Sequence, residues 1–332
     1  MRNSWKGGRV ILGAIALCAV AVTGAQAQAV SRAWSPKPAQ LAPYENGNVL
    51  RTKLSDVLAD KDPMESWRQK VVDDVNVKAA WVGLKAGDSV RPRLVADHRT
   101  AFIVWDGQVQ VTIQGQTPFI ATKGFMVQVP FRNEFTLKNV GSTPSLHFEV
   151  FNAKRVVLYP ENSATLPKPT KGNALTQNNA WYLSRLEAAD TYARQGTPVS
   201  RDYFASPSSA VFVKDDRLFM SAVRGVPPAM PETDYYQVSG GEAWFVMEGQ
   251  MGFWSEGSDF VAADPGDVVY VPAGRFHRTS FYGAGYSTGV VINGYPYGSH
   301  HWRETQPQVP PAIAAQSGLN IRATSKSAGR GG

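Results

Sequence analysis

The sequence has a single cysteine, Cys18, among its 332 residues. Cys18 lies in a segment that we predict is removed, and a mature chain without a thiol excludes disulfide bonds, thiolate catalysis and cysteine-ligated zinc sites. Histidine is also scarce, with five residues in the whole chain. A protein that held two metal centres of three histidines each would need six. These shortages exclude several common classes of metal and redox site.

The folded body also lacks an excess of charge. The formal net charge is +7, but positive residues without acidic neighbours at the two ends supply most of it: Arg2, Lys6, Arg9, Arg322, Lys326 and Arg330. A nearly neutral body gives no basis for nucleic-acid binding.

Residues 1 to 27 have the three parts of a secretory signal peptide. A basic start is followed by an apolar run from Val10 to Gly24, and Ala25-Gln-Ala27 provides small residues at the cleavage positions. The apolar run is too short to span a membrane comfortably, so we expect no stable membrane anchor. The sequence predicts a periplasmic or secreted protein, cleaved near Ala27.

The remaining chain divides by composition. We predict an N-terminal extension at 28–74 with short helices, one near Leu54 and one that begins at Asp62, where Asp-Pro-Met-Glu has the pattern of a helix start. A β-rich block at 75–157 follows, then a linker at 158–209 with a helix, a second β-rich block at 210–305 and a flexible tail at 306–332.

The two β-rich blocks form an internal repeat. An offset of 142 residues aligns turn residues of one block with those of the other without a gap: Gly107 with Gly249, Gly115 with Gly257, Gly124 with Gly266, and Pro130 with Pro272. Such self-similarity indicates two copies of one structural unit.

The second block carries two motifs. Residues 266–277 read GDVVYVPAGRFH, and residues 242–249 read EAWFVMEG. The pair resembles the two motifs of the cupin superfamily, a glutamate strand ending in a Glu-Gly turn and a later GDxxxxPxGxxH segment. The resemblance implies an all-β fold of two tandem cupin (jelly-roll) β-barrels with short flanking helices, a bicupin. Cupins host many functions, so the fold alone does not name a reaction.

The resemblance also implies a metal site in many members, made of three histidines and a glutamate. Glu242 and His277 occupy two of the four positions, but the two HxH positions hold Tyr235 and Gln237. A one-residue slip gives Tyr236 and Val238, and His300 and His301 are the nearest later histidines. We therefore expect either no metal or one divalent transition metal (Fe, Mn, Ni, Cu or Zn), held by Glu242, His277 and Gln237.

The corresponding positions of the first barrel are Arg93, Val95, Thr100 and Phe135. These side chains cannot form a metal site, which favours a packing role for this barrel. Arg93 could still bind the carboxylate of a ligand through its guanidinium fork.

Three hypotheses for function remain open. The first is a small-molecule-binding protein in which Glu242, His277, Gln237 and Tyr235 line the second barrel and Trp244 stacks on the ligand. Dense aromatic residues around the motifs favour an aromatic, sugar-like or carboxylate ligand. The second is an enzyme, either a metal-dependent oxygenase, isomerase or lyase, or one that uses His277 and Glu242 as an acid–base pair. The third is a structural or interaction protein. The sequence does not decide whether the barrels pack within one chain or across a homodimer.

Overall fold

A computed structural model of the chain describes residues 37–96, 98–114, 117–129, 132–162, 200–202, 210–214, 218–227, 235–236, 240–294 and 301–302. The predicted signal peptide, the helix expected in the linker and the C-terminal tail lie outside these residues. In the part of the chain that is described, no helix has both the length and the apolar character needed to cross a membrane.

Strands dominate the first half of the chain. They are β1 (Arg51–Thr52), β2 (Trp67–Asp73), β3 (Val77–Leu84), β4 (Leu94–Val95), β5 (Thr100–Asp106), β6 (Val109–Ile113), β7 (Phe119–Ala121), β8 (Phe125–Val129), β9 (Phe135–Asn139), β10 (Ser145–Asn152) and β11 (Val157–Leu158). A short helix, α1 (Leu54–Leu58), follows β1, and a 3₁₀ turn at Pro160–Asn162 follows β11.

The second half repeats this pattern. Its strands are β12 (Ser200–Asp202), β13 (Ala210–Lys214), β14 (Leu218–Gly225), β15 (Tyr235–Tyr236), β16 (Glu242–Glu248), β17 (Gln250–Ser255), β18 (Val261–Ala263), β19 (Val268–Val271), β20 (His277–Tyr282), β21 (Ser287–Gly294) and β22 (His301–Trp302).

The strands form a large and a small antiparallel sheet for each repeat. In the first repeat a six-stranded sheet, ordered β12-β8-β5-β10-β3-β2, faces the three-stranded sheet β7-β6-β9 across an apolar core. In the second repeat the six-stranded sheet β1-β19-β16-β21-β14-β13 faces β18-β17-β20-β15-β22 across another. Each repeat is therefore a two-sheet jelly roll, as the sequence predicted. The facing sheets are not joined into one continuous ring of strands among the described residues.

The pairing register confirms the offset of 142 residues. Three cross-strand pairs of the first repeat recur at the same offset in the second: Arg93–Phe135 as Tyr235–His277, Thr100–Val129 as Glu242–Val271, and Phe102–Val127 as Trp244–Val269. The turns before β8 and β19 also correspond, and Gly124 and Gly266 in them both have a positive φ, of 90° and 94°. That backbone conformation favours glycine.

A third core joins the two large sheets. Along β16, Ala243, Phe245 and Met247 lie in this shared core, whereas Trp244 and Val246 lie in the core of the second repeat. Because both faces of the strand are covered, β16 has no solvent-facing polar row, and β5 is buried on both faces in the same way. The two jelly rolls therefore pack against each other within one chain.

Aromatic rings fill the centre of this shared core. The ring of Phe245 from the second repeat stacks on Phe148 of the first, with centroids 4.8 Å apart, and meets Trp81 and Trp105 edge-on at 5.6 and 5.5 Å. Offset-stacked and edge-on arrangements are the favourable geometries for aromatic pairs. The contact resembles a domain core rather than a loose contact between two domains.

The N-terminal segment, residues 37–52, contacts the second repeat through strand pairing, a hydrogen bond and an ion pair. Strand β1 pairs with β19, Arg51 Nε donates to Asp267 Oδ2 at 2.8 Å, and Lys37 Nζ lies 2.8 Å from Glu256 Oε2. Strand β2, in contrast, pairs with β3 in the large sheet of the first repeat. That sheet therefore includes a strand from the region expected to be an extension.

The prediction of a helix that begins at Asp62 is wrong. Asp62 Oδ1 accepts the backbone N–H of Met64 at 2.8 Å, and its carbonyl accepts the N–H of Glu65, which closes a single turn before β2 begins at Trp67. An aspartate can stabilise a short turn with the same side-chain contact that it makes at a helix start. The alternating residues of β2 then extend the sheet instead of continuing a helix.

Candidate functional site

Two strands on opposite sheets bring a carboxylate and an imidazole together inside the second repeat. Glu242 is the first residue of β16 in the large sheet, and His277 is the first residue of β20 in the small sheet. Glu242 Oε1 lies 3.2 Å from His277 Nε2, and the two residues are 0% and 2% exposed. The two motif residues identified in the sequence are therefore in direct contact.

Two further donors hold the carboxylate of Glu242. The indole Nε1–H of Trp244 donates to Oε1 at 2.6 Å, and the amide of Asn293 donates to Oε2 at 3.0 Å. A buried carboxylate is tolerated when its oxygens are hydrogen-bonded. The site is therefore a fixed polar group set into an apolar core.

The contacts of His277 place a proton between it and Glu242. The carbonyl oxygen of Arg275 lies 3.1 Å from His277 Nδ1, and because a carbonyl only accepts, Nδ1 carries a hydrogen. Nε2 then either donates to the ionised carboxylate or accepts from the protonated acid. In both cases one proton lies on the line between Nε2 and Oε1, so the pair can hold or transfer it.

Comparison with known proteins shows the fold. Salicylate 1,2-dioxygenase from Pseudaminobacter salicylatoxidans is similar with a TM-score of 0.53 at 14% identity, covering 77% of this chain and 88% of that one. The structure of a variant of that dioxygenase in complex with gentisate gives a TM-score of 0.53 at 13% identity, covering 82% and 88%. A cupin 2 conserved barrel domain protein from Leptotrichia buccalis gives 0.47 at 9% identity, covering 77% and 97%. The chain has the fold of a bicupin.

Sequence comparison matches a smaller part of the chain. Residues 68–150 match a family model described as Mif2/CENP-C like, which corresponds to β2 through β10 of the first repeat. The search of curated proteins finds no match to this chain.

The expected ligand-contacting residues fall in different places. Tyr235 is the register partner of His277 and is therefore adjacent to it along the sheet, whereas Gln237 and His300 lie outside the described residues. Strand β22 brings the backbone of His301 opposite Tyr236. Trp244 is 4% exposed and packs edge-on against Phe253 at 5.9 Å, so in this structure it serves Glu242 as a donor rather than offering an open face for stacking.

Sequence reasoning missed two residues of the site. Asn293 is the register partner of Glu242 on β21, and Ser255 is the register partner of His277 on β17. Both are buried, and the Ser255 hydroxyl has no hydrogen-bond partner among the described residues. Each is a polar residue at an inward-facing position of an apolar strand, and this pattern in the sequence could have identified them.

The described donors do not fit a metal ion. Glu242 and His277 supply two ligands, and the described residues contain no group of three histidine, cysteine, aspartate or glutamate side chains that could hold a metal. Catalytic sites usually have three or more protein ligands. A metal here would depend on Gln237 and Tyr235, whose side chains lie outside the described part of the chain.

The first repeat has a different polar centre. Arg93 was expected to bind the carboxylate of a ligand, but the carboxylate that it contacts in this structure belongs to the chain itself. The Nη2 atom of Arg93 lies 3.1 Å from each oxygen of Glu149, a buried residue of β10. The position equivalent to Glu242 is Thr100, so the acid of the first repeat lies on a neighbouring strand.

Proposed function

We propose that this protein is an exported bicupin that binds a small organic molecule in its second repeat, next to Glu242 and His277. The observation that carries the proposal is the fully hydrogen-bonded Glu242–His277 pair, set in an apolar core together with the Ser255 hydroxyl, for which the described residues offer no partner. Replacing such buried polar groups by apolar ones would cost a structural protein little stability. Their presence therefore supports a role in recognition.

The ligand class follows from the surroundings of the pair. The apolar core of this repeat has side chains from both sheets, among them Val246 and Val291 from the large sheet and Phe253 and Phe281 from the small one. Such a lining suits a flat or apolar molecule whose polar groups meet His277. Salicylate and gentisate, named with the similar dioxygenase structures, are suitable first probes, together with simple sugars.

A second candidate function is acid–base catalysis without a metal. The proton between His277 Nε2 and Glu242 Oε1 supports it, because the pair can accept a proton from a bound molecule at one atom and return it at another. In this function Trp244 and Asn293 would hold Glu242 in place and stabilise its charge. Turnover of the bound molecule, measured by mass spectrometry of the ligand, distinguishes it from binding alone.

The decisive binding experiment compares two variants of β20. His277→Ala removes the imidazole, whereas Ser280→Ala changes an outward-facing hydroxyl of the same strand that donates to the carbonyl of Gly252. We expect salicylate, gentisate or a sugar to bind the wild-type protein and the Ser280 variant but not the His277 variant, by isothermal titration calorimetry. All three proteins should remain folded, with a loss of about 1–3 kcal/mol in the His277 variant, because Glu242 loses one buried hydrogen-bond partner. Loss of the folded state in the His277 variant would instead make His277 a structural residue and contradict the proposal.

The metal content of the protein tests whether it is instead a metal-dependent enzyme. Elemental mass spectrometry of the untagged protein should find much less than one equivalent of Fe, Mn, Ni, Cu or Zn. About one equivalent, lost in a Glu242→Ala variant, would favour a metal-dependent enzyme with a nonstandard ligand set.

Export is tested separately. The intact mass of protein recovered from the periplasm should correspond to a chain that begins at Gln28. A chain that retains residues 1–27 would contradict cleavage of the signal peptide.

A further inference from the structure

Three arginines surround one buried carboxylate in the first repeat. Arg93 Nη2 lies 3.1 Å from both oxygens of Glu149, and Arg155 Nη1 donates to Oε1 at 2.9 Å. Arg68 Nη1 also donates to Oε2. The four residues come from four separate places in the sequence, and β10 supplies only the acid.

This cluster has a surplus of positive charge. Burial alone would raise the pKa of Glu149, but the charges of Arg93, Arg68 and Arg155 outweigh it and hold that pKa well below the usual range. Glu149 is therefore ionised and cancels one of three guanidinium charges. The nearby His147 adds none at neutral pH, because burial lowers its pKa to about 4. Among the described residues no second carboxylate pairs with these arginines, so two positive charges remain.

Burial makes this surplus costly. The side chains of Arg93 and Arg155 are 13% and 16% exposed, and that of Glu149 is 2% exposed. Charges taken out of water are normally paired, because desolvation is not otherwise recovered. Arginine cannot relieve the cost by losing its proton. An anion that binds from solution would supply the missing negative charge and so offset the desolvation cost of these arginines.

The guanidinium groups are also held in place before any ligand arrives. The guanidinium of Arg155 lies over the ring of Phe151 at 3.4 Å, and that of Arg93 lies over Phe135 at 5.2 Å. Contacts with an aromatic face and with a carboxylate restrict the motion of these long side chains. Restriction of this kind lowers the entropy lost when a ligand binds.

Two buried hydrogen-bond donors inside the first repeat lack a partner among the described residues. The Nε–H of Arg93 is buried and has no partner among the described residues, and neither has the hydroxyl of Thr100. Each buried polar group without a partner calls for an explanation, such as a bound ion or water. The Arg68 side chain is 37% exposed, so the cluster reaches solvent on that side.

We propose that the first repeat contains an anion site in which Arg68, Arg93 and Arg155 bind a small oxyanion beside Glu149. The planar forks of the guanidinium groups suit a carboxylate of an organic acid, and they also suit inorganic phosphate. Glu149 orients the arginines. It also limits the affinity of the site for the oxyanion, because both compete for the same guanidinium N–H donors. This site is independent of the ligand proposed for the second repeat.

Removal of the competing carboxylate gives the sharpest test. In Glu149→Gln the three arginines lose their internal counter-ion, and we expect affinity for succinate or phosphate to rise about tenfold or more, because a charged partner is removed from the donors. Calorimetry at constant ionic strength, with chloride as the reference salt, measures this change. Partial unfolding cannot raise the affinity for succinate or phosphate. A gain of affinity therefore distinguishes an effect on the anion site from a loss of structure. Comparison of succinate with phosphate shows which source of oxyanion the site prefers.

Two arginine variants form a matched pair. Arg68→Gln removes one guanidinium at the solvent side of the cluster, and we expect roughly a tenfold loss of affinity. Arg91→Gln removes a half-exposed arginine that pairs with Glu161 and lies over Tyr159, outside the cluster, and we expect no change. Both arginines are exposed enough for the variants to fold even if Glu149→Gln does not.

Three outcomes would overturn the proposal. The first is a wild-type protein and a folded Glu149→Gln variant that bind neither succinate nor phosphate above the chloride reference. The second is an equal loss of affinity in the Arg68 and Arg91 variants, which would indicate general charge attraction. The third is loss of oxyanion binding in His277→Ala with no effect of Arg68→Gln, which would place the anion in the second repeat.

Discussion

His147 gives a quantitative prediction for stability against pH. The side chain is on β10, fully buried, with Phe102 edge-on at 5.8 Å and neither ring nitrogen hydrogen-bonded to any described residue. Burial lowers its pKa from 6.5 to about 4; the charge of Glu149 opposes this shift, and those of Arg93 and Arg68 add to it. The folded protein therefore resists a proton that the unfolded chain accepts readily.

The sign and size of the effect follow from proton linkage. Because the pKa of His147 is lower in the folded state, its stability contribution is complete above pH 6.5 and is lost as the pH falls toward about 4. Lowering the pKa from 6.5 to about 4, at about 1.4 kcal/mol for each pKa unit, corresponds to roughly 3 kcal/mol over the whole range. Between pH 7 and pH 5 we expect a loss of about 2 kcal/mol from this residue.

The assay is urea unfolding of the wild-type protein and a His147→Leu variant at pH 7, 6 and 5. Leucine places an apolar group of similar size in the apolar site, so the variant should be at least as stable at pH 7 and should gain about 2 kcal/mol over the wild type at pH 5. Other titrating groups act equally on both proteins and cancel in the difference. A difference in the free energy of unfolding that stays constant from pH 7 to pH 5 would refute the reasoning.

Three further predictions concern packing, backbone and the site. Phe245→Ala should destabilise the protein by about 3–5 kcal/mol in urea unfolding, with a single transition for both repeats, because the ring fills their shared core; two separate transitions would contradict this. Gly266→Ala should lower the melting temperature more than Gly47→Ala, since both have positive φ but only at Gly266 would a Cβ meet a neighbour at 2.5 Å; equal losses would show that contact to be unimportant. Asn293→Leu should cost about 1–3 kcal/mol by removing a donor from the Glu242 carboxylate; a neutral result in chemical denaturation would mean that water replaces the amide.

The repeat and the motif pair could be found in the sequence because their information is local. The glycine turns recur at one spacing, and the strands that begin at Glu242 and His277 each have a short recognisable pattern. Their meeting at 3.2 Å follows from the family resemblance. The fold and the contact between these two residues were therefore predictable.

The partners of these residues were not predictable, because they depend on which strands become neighbours. Asn293 is 51 residues from Glu242, and Arg93 and Arg68 are 56 and 81 residues from Glu149. No short pattern links residues so far apart. Arg93 was identified as a binder of carboxylates, yet only the sheet order shows that Glu149 on β10 supplies one.

The core shared by the two large sheets has a consequence for fragments of the protein. A polypeptide cut between the repeats would expose the apolar face that contains Trp81, Trp105 and Phe148, which Phe245 covers in the intact chain. Exposed apolar surfaces of this kind promote association. We therefore expect a half-length fragment to aggregate, or to pair with a second copy of itself through the same face. In the intact chain, covalent linkage supplies that partner at a fixed ratio and at a concentration that dilution cannot lower.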